Sequence, residues 1–136
     1  MKAKKVTLII SLLVVIIVGV LSRYFQTGIL IFDKYLGDAL YTIMFYLLLS
    51  LTWVRGSVVK KASFVMLFMT ALELFQLTQI PYHLSTRSNI FFRIVAILLG
   101  TKFGWLDLMA YLIGVILIVI VDTLFSAKFP ETPKTI

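Results

Sequence analysis

Long apolar runs separated by short basic segments restrict this chain more than any other feature. The runs predict helices over about residues 5–22, 36–54, 62–80 and 103–125. Each is close to the roughly 20 residues that cross about 30 Å of hydrocarbon. With 61% hydrophobic residues in 136, the chain has more apolar surface than a water-soluble fold of this size can bury. The sequence therefore predicts an all-α membrane protein with four transmembrane helices, forming a single membrane domain over residues 1–136.

Two further segments are predicted from their composition. Residues 88–100 are apolar around Arg93 but too short to cross a bilayer, so we expect a re-entrant or interfacial helix in the third loop that ends at Gly100. The polar tail 128–136 holds Pro130 and Pro133 and is expected to be disordered. The lysine-rich N-terminus followed by an apolar run resembles a signal peptide. The length of that run and the missing A-x-A-like cleavage site favour an uncleaved first helix.

The basic residues give the expected orientation and the expected partners. A net charge of +7 can indicate nucleic-acid binding, but these residues lie between the apolar runs, where they act as topology signals and contact anionic lipid. No nucleic acid is therefore expected. The side with both termini carries eight: Lys2, Lys4, Lys5, Arg55, Lys60, Lys61, Lys128 and Lys134. The other side carries five: Arg23, Lys34, Arg87, Arg93 and Lys102. This excess predicts cytoplasmic termini in the cell membrane.

The residue types that usually form reactive or metal sites are scarce. There is no cysteine, so no disulfide, thiolate nucleophile or thiolate metal site can form. His83 is the only histidine, and one imidazole with carboxylates is a poor zinc site. We expect no metal and no cofactor.

Three carboxylates in the predicted spans are the main candidates for a functional site. Charged groups inside hydrocarbon cost about 2.5 kcal/mol or more on insertion scales, so each needs a partner and a reason. At about 1.5 Å per helical residue, Asp38 and Asp107 lie about one turn inside the outer ends of their spans, and Glu73 lies roughly 10 Å deep. Asp122 lies near the cytoplasmic end of the last span and is interpreted as a structural group that can reach the membrane interface or Lys128.

Uncharged polar residues accompany the three acids on the same helix faces. Gln76 is one turn above Glu73, level with the two aspartates, and Tyr111 is four residues inward from Asp107. The pattern predicts an upper layer of Asp38, Gln76 and Asp107, and a lower layer of Glu73, Tyr111 and Tyr41. Because converging carboxylates repel, they need cations, and Arg23, Arg87 and Arg93 are available on that side. Of these, Arg87 or Arg93 is the expected counter-charge. The alternative is that these residues only hold the helices together, although such bonds average about 0.6 kcal/mol in membranes.

The same residues carry a family resemblance. Gly37-Asp38-Ala39-Leu40, Glu73-x2-Gln76, Arg87 and Asp107-x3-Tyr111-x2-Gly114 resemble a family of small bacterial membrane proteins of unknown function. More distantly, the chain is similar to VanZ-like proteins, whose series is Glu-x2-Gln, Arg and Asp-x3-Asn-x2-Gly. The chain departs from this series at Tyr111, where asparagine is usual. VanZ-like proteins are associated with low-level glycopeptide resistance at the cell envelope. The resemblance implies that Asp38, Glu73, Gln76, Arg87 and Asp107 form one site.

Three functional hypotheses follow. The first is an outward-facing pocket of Asp38, Glu73, Gln76, Arg87, Arg93, Asp107 and Tyr111 that binds a lipid or a lipid-linked envelope precursor, because guanidinium groups suit phosphates. The second is a structural or partner-binding subunit in a homo- or hetero-oligomer, and the third is proton-coupled transport. Enzymatic activity is not favoured, because no serine or histidine has a recognisable helper. Glu73 or Asp107 is the general base that catalysis would use.

Overall fold

The computed structural model describes residues 2–29, 31–53, 56–99 and 104–128, and side chains up to Ala96 in the third of these ranges. Every regular element in these ranges is helical, which confirms the predicted all-α class. The elements are α1 (Lys2–Tyr24), a π-helical segment (Ile31–Tyr35), α2 (Leu36–Thr52), α3 (Val58–Gln76), α4 (Ile80–Ser85), α5 (Ile90–Leu99) and α6 (Trp105–Lys128). The predicted end of the short helix at Gly100 lies outside the described residues, as does the predicted disordered tail 128–136 apart from Lys128. Lys128 is the last residue of α6 and is helical, not disordered.

Four long helices form a bundle with α2 at its centre. Helix α2 packs against α1, α3 and α6, and α3 also packs against α6. We call the end where α2 and α6 begin and α3 finishes the upper end, and the opposite end the lower end. The core lies at mid-height and takes two or three residues from each of the three inner helices: Tyr46, Leu47, Val65, Met69, Tyr111, Val115 and Ile118. Helix α1 contributes no buried residue and covers one flank of α2.

Three helices in the described part of the chain are long and apolar enough to cross a membrane: Lys2–Tyr24, Ile31–Thr52 and Trp105–Lys128. Their outward faces carry exposed large hydrophobic residues, such as Ile17, Ile113 and Leu124, as expected where lipid replaces water. Helix α3 differs because its 19 residues include Lys60, Lys61 and Glu73, which lower its apolar character. The predicted count of four spans is therefore supported for three helices.

The predicted third span, 62–80, begins and ends earlier than expected. Ser57 caps α3 by accepting a hydrogen bond from the backbone N–H of Lys60, which starts the helix at Val58. The helix ends at Gln76, and Gln79 adopts a left-handed conformation with φ of 59°. Pro81 lies in the first turn of α4, where its missing N–H costs nothing. The chain thus leaves the bundle at the upper end and continues into α4, which packs on α5.

The close contact between α2 and α6 depends on a glycine. A Cβ atom placed on Gly114 would lie 2.6 Å from the carbonyl oxygen of Ala39 and 3.1 Å from its Cα. Ala110, one turn earlier on α6, is also buried. These residues form a small-xxx-small pair at the interface, which lets two membrane helices approach to backbone contact.

The connection between α1 and α2 is closed by Asp33. One carboxylate oxygen accepts hydrogen bonds from the backbone N–H and the hydroxyl of Thr27, at 2.7 and 2.9 Å. The other accepts from the N–H of Gly28 at 2.9 Å, and Gly28 has φ of 81°, which glycine adopts readily. This loop fixes the π-helical segment that carries Lys34 at the upper end.

Candidate functional site

Glu73 is the most enclosed acid in the described part of the chain, with 1% of its surface exposed near the end of α3. Its Oε1 accepts hydrogen bonds from the Tyr111 hydroxyl at 2.5 Å and from Nε2 of Gln76 at 3.3 Å. Its Oε2 accepts from the backbone N–H of Gly104 at 3.4 Å. Three donors therefore hold this carboxylate between α3 and the start of α6, as buried polar groups require.

Asp107 lies in the first turn of α6 and is 5% exposed. Its Oδ1 forms an ion pair of 2.9 Å with Nζ of Lys34, whose side chain is 48% exposed. A carboxylate in the first turn of a helix also interacts favourably with the helix dipole. A Cβ on Gly104 would lie 2.8 Å from Oδ2 of Asp107, so this position leaves no room for a side chain. Gly104 consequently touches both Asp107 and Glu73.

Asp38 completes the group from the first turn of α2. It interacts electrostatically with Asp107 and Glu73 and with the cations Lys34 and Arg23. Its Oδ2 is buried without a hydrogen-bond partner among the described residues. We call Asp38, Glu73 and Asp107 the carboxylate cluster, which three different helices bring together at the upper end.

The predicted site residues fall into two groups. Asp38, Glu73, Gln76, Asp107 and Tyr111 meet at the carboxylate cluster. Arg87 instead lies beside the ring of Phe92, with its guanidinium carbon 5.9 Å from the ring centroid, and Arg93 is exposed on α5. The cation on Asp107 is Lys34 rather than Arg87 or Arg93. Tyr41, assigned to the lower polar layer, is partly buried and packs edge-on against Phe45.

Sequence reasoning missed the role of Lys34, which was counted only as a topology signal. Its spacing of four residues before Asp38 is one that places side chains on the same face of a helix, and this could have identified it. It also missed Gly104 as a contact of two acids. For Gly104 the sequence gives no signal, because its contact with Glu73 depends on how the start of α6 is placed beside α3.

A second polar group lies at the lower end. The hydroxyl of Tyr46 donates to Oδ2 of Asp122 at 2.6 Å, and the Ser126 hydroxyl lies 3.5 Å from Oδ1. Lys61 is 2% exposed, interacts electrostatically with Asp122 and lies 5.9 Å from the centroid of the Tyr46 ring. Asp122 is thus hydrogen-bonded to Tyr46 and Ser126 and interacts electrostatically with Lys61, whereas the sequence suggested the membrane interface or Lys128.

The carboxylate cluster has the chemistry of a hydrogen-bond acceptor. The described residues contain no group of three His, Asp or Glu side chains spaced to hold a metal ion. What the cluster can do is accept donors such as ammonium or hydroxyl groups, while Lys34 and Arg23 offer positive charge beside it.

Fold and site together define a small helical membrane protein with a polar cluster at one end of its bundle. The family model described as a protein of unknown function, DUF2809, matches residues 27–115. The chain belongs to this family. The match contains the whole carboxylate cluster, Lys34 and Gly104, and it begins after α1. No curated protein and no solved structure matches the chain.

Proposed function

We propose that this protein binds the polar head group of a lipid, or of a lipid-linked envelope precursor, at the carboxylate cluster. The observation that carries the proposal is the convergence of Asp38, Glu73 and Asp107 from three helices beside Lys34 and Arg23. Interhelical hydrogen bonds of average strength stabilise a membrane bundle too little to explain why three acids lie in one place. The resemblance to VanZ-like proteins, which act at the cell envelope, favours the same class of ligand.

The balance of charge favours a head group with both signs. Three carboxylates against the two cations Lys34 and Arg23 leave one formal negative charge on the cluster. An ammonium or hydroxyl group of the ligand would donate to Oδ2 of Asp38 once a local movement of the helices uncovers this buried atom. The exposed side chains of Arg23 and Lys34 would contact its phosphate, which cationic donors bind strongly. Phosphatidylethanolamine carries both groups and is the simplest probe.

The proposal includes α3 as a fourth span, with both termini in the cytoplasm. At about 1.5 Å per residue, the 19 residues of α3 extend about 28 Å, close to the thickness of the hydrocarbon. Val65 and Met69 of α3 pack in the same core as residues of α2 and α6. Its charged residues lie near the ends or in the carboxylate cluster, where they have partners. The carboxylate cluster would then face the outer leaflet, and α5 would lie at the same surface.

Native mass spectrometry tests head-group binding. Asp38→Asn, Glu73→Gln and Asp107→Asn are each expected to weaken phosphatidylethanolamine adducts about tenfold, as expected on losing a charged hydrogen-bond partner. Thr52→Ala is the control, because Thr52 is an exposed polar residue at the lower end of α2, away from the carboxylate cluster. Adducts that survive unchanged in all three cluster variants would refute the proposal.

Cysteine labelling tests the topology, and the absence of native cysteine makes each introduced thiol unique. Val59, in the first turn of α3, and Ser88, after α4, are both exposed. With α3 spanning, an impermeant reagent applied outside intact cells labels Ser88→Cys and not Val59→Cys. Lys128→Cys is expected to behave like Val59→Cys. Equal labelling of Val59→Cys and Ser88→Cys would mean that α3 does not cross.

A further inference from the structure

A groove at the lower half of the bundle is separate from the carboxylate cluster. It lies between α1, α2 and α6 and has a volume of about 400 Å³. Its walls are mainly apolar, formed by residues such as Leu8, Val15, Leu47 and Ile118, and it is open on one side. Its volume is within the range of about 300–1,000 Å³ that is typical of ligand pockets.

The charged groups of the groove lie at one end. Lys4, Tyr46 and Asp122 line it there, and the Asp122 carboxylate already accepts the Tyr46 hydroxyl. Lys4 is also close enough to the buried Lys61 for their charges to repel. Lys4 and Lys61 together outnumber the single carboxylate of Asp122, so positive charge exceeds negative charge at this end.

The length of the groove corresponds to one leaflet. On α1 its lining extends from Lys4 to Val15, which is about 17 Å at 1.5 Å per residue. Half of a hydrocarbon core of roughly 30 Å is about 15 Å. A ligand with a charged end at Lys4 and an apolar body reaching the middle of the membrane fits these dimensions.

We propose that this groove binds an anionic phospholipid, with one acyl chain along the apolar walls and the phosphate at Lys4. The charge at the lower end selects the head group, because basic residues near a membrane surface attract anionic lipids. The apolar walls on three helices hold the chain. The site is independent of head-group binding at the carboxylate cluster, which lies at the other end of the bundle and favours a zwitterionic ligand.

Native mass spectrometry with two lipids of identical acyl chains tests the site on the full chain. Dioleoyl phosphatidylglycerol is expected to bind more tightly than dioleoyl phosphatidylcholine. Lys4→Gln should reduce phosphatidylglycerol binding about fivefold, whereas Lys5→Gln, whose residue does not line the groove, should leave it unchanged. Ser11→Phe should block the groove, and Leu13→Phe, on the exposed face of α1, is its matched control.

The possible outcomes separate the occupants. Equal binding of both lipids, equal effects of Lys4→Gln and Lys5→Gln, or full binding by Ser11→Phe would each overturn the proposal. If the wild type is a dimer without lipid adducts and Ser11→Phe converts it to a monomer, the occupant of the groove is a second copy of the chain. That result would also overturn the lipid proposal. If Ser11→Phe fails to fold, a phosphatidylglycerol with a photoreactive acyl chain should label α1 and α6 of the wild type, and labelling only elsewhere would reject the site.

Discussion

The hydroxyl of Tyr111 on α6 lies 2.5 Å from Oε1 of Glu73 on α3, and both residues are buried. This is the shortest link between the two helices among the described hydrogen bonds. Glu73 is one turn after Met69 on α3, and Tyr111 is one turn before Val115 on α6, so the hydrogen bond lies one turn above these two core residues. The position of the Glu73 carboxylate therefore depends on the packing of α3 against α6.

Tyr111→Phe is expected to destabilise the protein by about 1–1.7 kcal/mol, the upper part of the range for single polar contacts in membranes, because the acceptor is a carboxylate. Tyr82→Phe is the control, since Tyr82 is exposed on α4. Reversible unfolding in mixed micelles measures the difference. Equal stability of the two variants would show that the Tyr111 hydroxyl contributes nothing.

Lys34→Gln is expected to destabilise the protein by about 1–3 kcal/mol. This loss of stability lies between the values for exposed and for buried ion pairs, because Lys34 is half exposed whereas Asp107 is buried. Most of the loss should disappear in the double variant Lys34→Gln/Asp107→Asn, which leaves no unpaired charge. A double-mutant cycle on unfolding free energies checks this, and additive effects would argue against coupling between the two residues.

Gly114→Ala is expected to destabilise the protein by about 1–3 kcal/mol, because the new methyl group would overlap the backbone of Ala39 and push α2 away from α6. Gly19→Ala is the matched control, since a Cβ at that position on α1 has no atom within 4 Å. Unfolding in mixed micelles compares them. A Gly114→Ala protein as stable as Gly19→Ala would mean that the two helices are not in backbone contact.

Gln79→Gly is expected to stabilise the protein by about 1 kcal/mol, because it removes the Cβ that makes the left-handed conformation unfavourable. Gln79→Ala keeps the Cβ and should have little effect. The melting temperature in detergent reports both changes. Stabilisation by alanine as large as that by glycine would assign the effect to the side chain and not to the backbone.

The sequence predicted the parts of the fold that follow from local patterns. Apolar runs identified the helices, and the spacing of Gln76 from Glu73 and of Tyr111 from Asp107 predicted residues that the structure brings together. The end of α3 at Gln76 and the break at Gln79 were harder to predict, because Pro81 indicates the end of a helix but not the turn before it. Helix α4 was not predicted for the same reason.

The partners of the acids were harder to predict than the acids themselves. The pairing of Lys34 with Asp107 depends on the loop closed by Asp33 and on the π-helical segment, and neither has a simple periodicity. Arg87 and Arg93 were predicted as counter-charges only because they lie on the same predicted side of the membrane as the three acids. Ala110 and Gly114 form a small-xxx-small pair that the sequence does contain, and only their tertiary contact with Ala39 distinguishes it from other such pairs.

The contact at Gly114 also limits how the bundle can move. Because the two backbones are in contact at Gly114, we expect α2 and α6 to move together as one unit. Asp38 and Asp107 belong to that unit, whereas Glu73 belongs to α3. Any cycle that admits and releases a ligand must therefore displace α3, or the segment after it, relative to a fixed α2–α6 pair, and Glu73 is the acid whose distance from the other two would change.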